Sequence, residues 1–343
     1  MNWLAVDIGG ANLKAADGRG FAVAYAFPLW KQFPQLVAEL RSLIAEAPPS
    51  DHLAVTMTGE LADCFETRSE GVRRILAAVA EAAGGRHTRV YLVDGRLVSP
   101  AVALSHPLLA AASNWHALAA FAARYVQGRP AVLLDIGSTT CDIVPIIDGR
   151  PAARGTDDAQ RLLAGELVYT GVERSPVCAV VRELPYGGGE CPVAQELFAT
   201  TRDAYLILQG LPEAPNDHNT ADGRPATRAA ARARLARMVC ADTDTFSDED
   251  AWIAADAIAA TQAEHVARAL DRVAQSMANP PEVLVISGHG DALVDRVLDA
   301  RGTSTPIVSL AELAGPLVAR CGPAHALATL ARELSAPYYS SHS

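Results

Sequence analysis

Two short segments of the chain repeat one arrangement of chemistry-bearing residues. In the first, an apolar run from Leu4 ends in Asp7-Ile8-Gly9-Gly10-Ala11-Asn12. In the second, a run from Leu133 ends in Asp135-Ile136-Gly137-Ser138-Thr139-Thr140. An aspartate at a strand end, followed by a glycine turn, sets successive backbone N–H groups in a concave nest that suits phosphate oxygens. Its carboxylate is a hard oxygen ligand that can hold Mg2+ beside those phosphates, directly or through water. Ser138, Thr139 and Thr140 add hydroxyl donors to the second copy, while Asn12 and Lys14 extend the polar reach of the first. A third glycine turn, Ser287-Gly288-His289-Gly290, offers an imidazole to the same kind of ligand. Two such hairpins facing each other would clamp an oligophosphate, with Asp7 and Asp135 as the candidate metal ligands. Each copy taken alone reads equally well as an ordinary hairpin turn.

The elements that must position these residues follow from periodicity. Each copy reads as strand, tight turn, strand, and both then reach Asp-Gly-Arg, at Asp17–Arg19 and Asp148–Arg150, which makes them an internal repeat. Between the copies, helical spacing over Phe33–Ala47, around Val72–Val79 and over Ser113–Tyr125 alternates with strand-like runs at Leu53–Thr56 and Val90–Val93. The pattern is α/β. The second half is more helical. Apolar spacing predicts a long helix over Pro192–Leu208 and an Ala/Arg-rich one over Thr227–Cys240, with a polar Pro212–Pro225 loop between them that is longer than a connection requires. Ser247-Asp248-Glu249-Asp250 is a capping box for a helix reaching about Met277. Val283–Ile286 is a buried strand, and a helix over Pro323–Leu334 precedes a Ser/His tail.

Composition bounds the partners. The chain has 343 residues, 50% of them hydrophobic, enough for a large core and above the usual size of one domain. With 29 Lys and Arg against 39 Asp and Glu, the net charge of −10 argues against nucleic acid and anionic membrane as partners but permits a local basic pocket for a small anion. No leader-like segment opens the sequence, no apolar stretch is long enough to span a bilayer, and the six cysteines form no C-x-x-C pair. These features imply a cytoplasmic enzyme without a disulfide framework or structural zinc. They leave the assembly open, a homodimer included.

The three glycine turns resemble those of the actin, Hsp70 and sugar-kinase superfamily. The resemblance implies two ribonuclease-H-like lobes around a cleft: 1–128, then 129–335 with a helical insertion over about 157–280, and a flexible tail over 336–343. Four further segments resemble the narrower hydantoinase/oxoprolinase-related group linked to tetrahydromethanopterin-dependent one-carbon metabolism. They are Thr56–Phe65, Ala112–Trp115, Glu166–Val172 and Met238–Asp242. Archaeal relatives of that group are furan-methanamine synthases of methanofuran biosynthesis. The resemblance therefore implies a transferase that joins a furanylmethyl diphosphate to the phenol of a tyramine- or tyrosine-type substrate and releases diphosphate. A small-molecule kinase or hydantoinase-like ATPase is the alternative, and a nucleotide-binding sensor without turnover is the third reading.

Such a transferase must stabilise departing diphosphate and hold a phenol near a base. Gly9, Gly10, Asn12, Lys14, Gly137, Ser138, Thr139, Thr140, Gly288, His289 and Gly290 are the candidate phosphate-binding residues. Glu60, Asp63, Asp142 and Glu166 are the acids closest to the special segments, and the sequence does not choose among them as base. Asn114 and Trp115 open a helix and read either as cap and core or as the wall of an aromatic pocket. Tyr169 is a candidate stacking residue. His106 and His116 read as structural, Cys141 lacks the surroundings of an activated thiol, and the arginines between Arg224 and Arg237 read as a solvated helix face.

Overall fold

The computed structural model describes residues 1–302 and 305–335, so the predicted tail over 336–343 lies outside the described residues. Two six-stranded sheets organise the chain. The first holds β1 (Trp3–Ile8), β2 (Asn12–Ala16), β3 (Ala22–Ala26), β4 (His52–Met57), β5 (His87–Tyr91) and β6 (Leu97–Val98), in the order β3-β2-β1-β4-β5-β6. The second is built from β7 (Ala131–Ile136), β8 (Cys141–Ile147), β9 (Arg150–Pro151) and β10 (Leu167–Val168), a separate small hairpin β11 (Glu183–Tyr186) and β12 (Gly189–Pro192) intervening before β13 (Val283–Gly288) and β14 (Ile307–Ser309). Its order is β10-β8-β7-β13-β14, with β9 beside β8.

The two orders are one topology used twice. In each sheet a hairpin (β1–β2 or β7–β8) is antiparallel, and its first strand continues in parallel to β4 and β5 or to β13 and β14. This is the ribonuclease-H-like pattern, present in two lobes. β1 and β7 are central strands and almost wholly apolar, as strands buried on both faces must be, and their carboxylates come only at the C-terminal end.

The chain does not divide between the lobes as it does in sequence. The C-terminal helix, Gly322–Leu334, returns to the first lobe and packs on β1, β4 and the helix Asn114–Ala122. That last helix, although it precedes β7, contributes Trp115, Leu118 and Ala122 to the core under the second sheet. The two helices are wedged between the lobes and couple them.

Three sequence expectations change. The predicted helix over Pro192–Leu208 is helical only at Thr201–Ile207, where a Thr200–Asp203 capping box starts it. Upstream the backbone is tied out of helix by Val193 donating to the Arg182 carbonyl and Ala194 to that of Met238. The 157–280 insertion is not purely helical, because β10 within it is an edge strand of the second sheet. The run Arg224–Arg237 is not all solvated. Arg234 is fully buried, 2.7 Å from Asp203 and 3.0 Å from Asp222, and so fastens the Pro212–Pro225 loop to the helix Thr201–Ile207. The capping box at Ser247 starts a helix over Asp248–Ser276, as the sequence predicts.

Removing Arg234 strands the buried Asp203 carboxylate, and breaking such a pair from one side costs about 3–5 kcal/mol. Arg234→Ala is expected to lower the urea midpoint of unfolding accordingly. A midpoint equal to wild type would show that the pair does not hold the loop.

Candidate active site

Both glycine turns are built the same way. Gly9 donates to the Asn12 carbonyl at 3.0 Å and Gly137 to the Thr140 carbonyl at 2.9 Å, closing each turn with the same bond. Each turn is also pinned from behind. The carbonyls of Gly10 and Ala11 accept from Leu29 and Phe27, and those of Gly137 and Ser138 accept from Val172, Glu173 and Arg174. With their carbonyls held on one side, the amides of Gly10, Ala11, Ser138 and Thr139 donate to no acceptor among the described residues. Unpaired amides in succession are a nest for an anion. The two turns meet: Asn12 Nδ2 donates to Ser138 Oγ across the cleft at 3.4 Å.

Two glycines allow close backbone packing around the second turn. A Cβ on Gly171 would stand 2.5 Å from the backbone of Gly137, Ser138 and Thr139, so the segment behind the second turn touches it backbone to backbone. Gly288 has φ +96°, and its Cβ would fall 2.1 Å from the Ile136 carbonyl oxygen, which keeps the third turn tight against β7. A buried polar network sets the segment behind the second turn. Gln262, with no exposure, donates to Thr170 Oγ1 and the Gly171 carbonyl and accepts from Tyr205 Oη.

Strand register sets the charges. Asp7 faces Lys14 across β1–β2, whereas Asp135 faces Asp142 across β7–β8. Burial raises the pKa of Asp7 to about 6, against the pull of Lys14 and Asn114. Burial, reinforced by Asp142, raises Asp135 to about 6 as well, again opposed by Lys14. Each has an Oδ1 that is buried without a hydrogen-bond partner. Two orphaned carboxylate oxygens beside unpaired amides fit a hard cation with oxygen ligands. No group of three His, Cys, Asp or Glu among the described residues is placed to hold a metal unaided, so such an ion would need ligand oxygens too.

Next to the turns is a chamber lined by Thr58, Leu61, Asn114, Trp115, Thr139, Thr140, Asp142, Asp158, Arg161, Tyr169 and Arg174. Arg161 is its organiser. Its guanidinium lies 4.1 Å from the Trp115 ring centre, reaches Asp142 at 2.8 Å and donates to the Glu166 carbonyl at 2.8 Å. Tyr169 is exposed at the rim. Burial raises the carboxyl pKa of Asp158, opposed by Arg68.

The predicted acids separate. Asp142 lines the chamber but is paired with Arg161. Glu166 is committed elsewhere, its two oxygens accepting from the amides of Arg154 and Gly155 at 2.6 and 3.0 Å. Glu60 is 1% exposed, with neither oxygen hydrogen-bonded and Arg68 3.7 Å away; burial lifts its pKa to about 7. His289 faces Glu173 at 3.0 Å, and His116 pairs with Tyr91 Oη at 2.9 Å, away from the chamber. Sequence reasoning missed Asp158, Arg161 and Arg174. Their one sequence signal was proximity to the Glu166–Val172 segment, which flags a region and not a role.

The fold and site are those of a two-lobed protein whose paired turns bring unpaired amides and buried carboxylates to one cleft. The chain belongs to the hydantoinase/oxoprolinase family, whose profile matches residues 51–331. A relative from Methanocaldococcus jannaschii, (4-{4-[2-(gamma-L-glutamylamino)ethyl]phenoxymethyl}furan-2-yl)methanamine synthase, is 33% identical over 95% of this chain and 96% of its own length. The synthase of the same name from Methanococcus vannielii is 29% identical over 61% of this chain and 94% of its own. Among solved structures, an archaeal actin homolog aligns over 97% of this chain and 100% of its own at 12% identity and a TM-score of 0.46. The two-lobed architecture stands on the strand orders above, not on that distant likeness. No helix among the described residues is long and apolar enough to cross a membrane.

Glu60 yields a pH test. Its folded pKa of about 7 exceeds the reference 4.5, so between those values the folded state holds a proton that the unfolded state has lost. Stability therefore falls as pH rises through that window, by about 3 kcal/mol at most. Glu60→Gln is expected to lose this fall and to gain on wild type between pH 5 and 8 in urea titrations. Parallel pH curves for the two proteins would show that Glu60 does not carry the proton.

Proposed function

We propose that the protein is a transferase of methanofuran-type cofactor biosynthesis, joining a furanylmethyl diphosphate to the phenol of a tyramine-type acceptor. The observation that carries this reading is the meeting of two amide nests beside the orphaned carboxylates of Asp7 and Asp135, with an aromatic chamber next to them. The names of the relatives support it, since their product carries the phenoxymethyl-furan ether that such a reaction makes.

In the proposed step the phenol oxygen bonds to the furanylmethyl carbon. The bond from that carbon to diphosphate breaks, its electron pair leaves on diphosphate, and the phenol proton passes to a carboxylate. The amides of Gly10, Ala11, Ser138 and Thr139 and the Lys14 ammonium receive the leaving group and stabilise its growing charge. Asp7 and Asp135 would hold Mg2+, which when bound neutralises further charge on diphosphate. Trp115 and Tyr169 flank the aromatic rings, and Arg161 keeps Trp115 in place from its far pairings with Asp142 and Glu166. Asp158 is the proton acceptor in this reading. It lines the chamber, its carboxylate makes no ion pair or hydrogen bond among the described residues, and burial makes it more basic than an ordinary carboxylate.

The test incubates the protein with a furanylmethyl diphosphate, a tyramine-type phenol and Mg2+, following ether and diphosphate by mass spectrometry. Asp7→Asn and Asp135→Asn are expected to lower turnover roughly a thousandfold. Their stability should hold or rise, since each substitution removes a carboxyl that burial disfavours in its charged form. Asp158→Asn should cut kcat roughly a hundredfold or more with little change in KM. Full activity in either hairpin variant contradicts its role with the leaving group, and full activity in the third moves the base elsewhere.

A further inference from the structure

A second chamber adjoins the first, and Arg174 stands at the junction, lining both. The other arginines on these walls are Arg161 in the first and Arg202 and Arg320 in the second. Each of those is spent on a carboxylate. Arg161 holds Asp142 at 2.8 Å and Arg202 holds Asp217 at 2.6 Å, while Arg320 lies 3.9 Å from Glu173, which also faces His289 at 3.0 Å. Arg174 makes no ion pair or side-chain hydrogen bond among the described residues. Its guanidinium instead lies over the Trp30 ring, 4.6 Å from the ring centre and inside the roughly 6 Å reach of a cation–π contact.

This contact crosses the cleft and joins the two pins. Trp30 belongs to the short helix Leu29–Gln32 of the first lobe, whose Leu29 amide holds the Gly10 carbonyl at 2.9 Å. On the other side, the Arg174 amide holds the Ser138 carbonyl at 3.0 Å. Stacking engages only the face of a guanidinium, so its five N–H groups stay at the edge for oxygen acceptors. Burial lowers the Arg174 pKa, against the pull of Tyr169 and Glu173, as it does for a cation short of an anion. The acids around it do not supply that anion. Asp142, Asp217 and Glu173 have partners already, and Asp158 makes no ion pair with it. Asn12, Ser138 and Asn219, also on the wall of the second chamber, are neutral and add donors for an anion.

We infer that Arg174 is a catalytic residue that grips the departing diphosphate by its N–H edge, and that Trp30 is the positioning residue that aims it from the opposite lobe. The inference rests on the ether-forming reading for what departs. The unpaired amides of Ser138 and Thr139 belong to the turn that Arg174 itself pins, so an anion seated on them lies beside the guanidinium. Arg174 gives up no proton. It donates charge-assisted hydrogen bonds that strengthen as the electron pair of the breaking carbon–oxygen bond moves onto diphosphate. Because the stack needs a residue from each lobe, the grip is complete only with the lobes together.

The experiment titrates the full chain calorimetrically with Mg2+–diphosphate and with tyramine, and follows turnover of a furanylmethyl diphosphate, for wild type, Arg174→Ala, Trp30→Phe and Trp30→Leu. Arg174→Gln, which keeps the aliphatic stem, carries the same test if the alanine variant does not fold. Arg174→Ala is expected to weaken Mg2+–diphosphate binding about tenfold or more and to leave tyramine affinity in place. Its kcat should fall about a hundredfold, and guanidinium chloride below denaturing concentration, but not sodium chloride, should restore part of the loss. Trp30→Leu should lower kcat about tenfold, while Trp30→Phe, which keeps an aromatic face, stays close to wild type. Wild-type diphosphate affinity and kcat in Arg174→Ala overturn the grip, as does an equal loss of diphosphate and tyramine binding. The two Trp30 variants behaving alike overturns the role of Trp30. Diphosphate binding is read without turnover, so the two readings fail separately. Its loss in Arg174→Ala with no ether made by wild type keeps the grip and sinks the reaction, and ether made at the wild-type rate by Arg174→Ala keeps the reaction and sinks the grip.

Discussion

The cleft depends on how each glycine turn is pinned by its carbonyls. A backbone amide presents its N–H to one side because its neighbour's C=O is occupied on the other, and here the occupying groups differ between lobes while the outcome is the same. In the first lobe the segment Phe27–Leu29 does the pinning, and in the second Val172–Arg174. The second arrangement is the more demanding. It brings Gly171 against the turn backbone with no room for a Cβ and needs the fully buried Gln262 to satisfy the polar groups of Thr170 and Gly171. A long helix, Asp248–Ser276, is thereby tied to the four-residue turn Gly137–Thr140, since it carries Gln262.

The repeat is structural before it is electrostatic. At equivalent register positions the first hairpin places Lys14 opposite its aspartate and the second places Asp142. One copy is internally neutralised. The other gathers two acids and needs Arg161 to hold Asp142, and Arg161 in turn fixes Trp115 and the backbone of Glu166. The asymmetry gives the cleft a cationic reach from one lobe and, from the other, an acidic edge that leads into the aromatic chamber. Two helices shared between the lobes, Asn114–Ala122 and Gly322–Leu334, keep these halves in register.

What was legible in the sequence was whatever local chemistry decides. Alternation of Asp, Ile and Gly after an apolar run is enough to specify strand, turn and carboxylate position, so both hairpins and their aspartates read directly. The Ser247 capping box fixed its helix start for the same reason. Legibility ended where a residue's role depends on partners distant in sequence. Arg234 looks like its solvated neighbours, and only the fold brings Asp203 and Asp222 to it. β10 is two residues long, too short to show alternation, yet it completes the second sheet beside β8. Asp158 sits eight positions before Glu166, outside the Glu166–Val172 segment that the sequence flagged. Packing turns Glu166 inward onto backbone amides and leaves Asp158 facing the chamber.

The central claim is that the pinned turns receive diphosphate as a leaving group rather than as part of a nucleotide. The most direct measurement is calorimetric titration with diphosphate, ADP and ATP, each with and without Mg2+, paired with a phosphate-release assay. The account predicts Mg2+-dependent binding of diphosphate, weaker binding of either nucleotide, and no ATP hydrolysis. Micromolar ATP binding with steady hydrolysis stimulated by a small molecule would contradict it and make the protein a kinase or an ATPase.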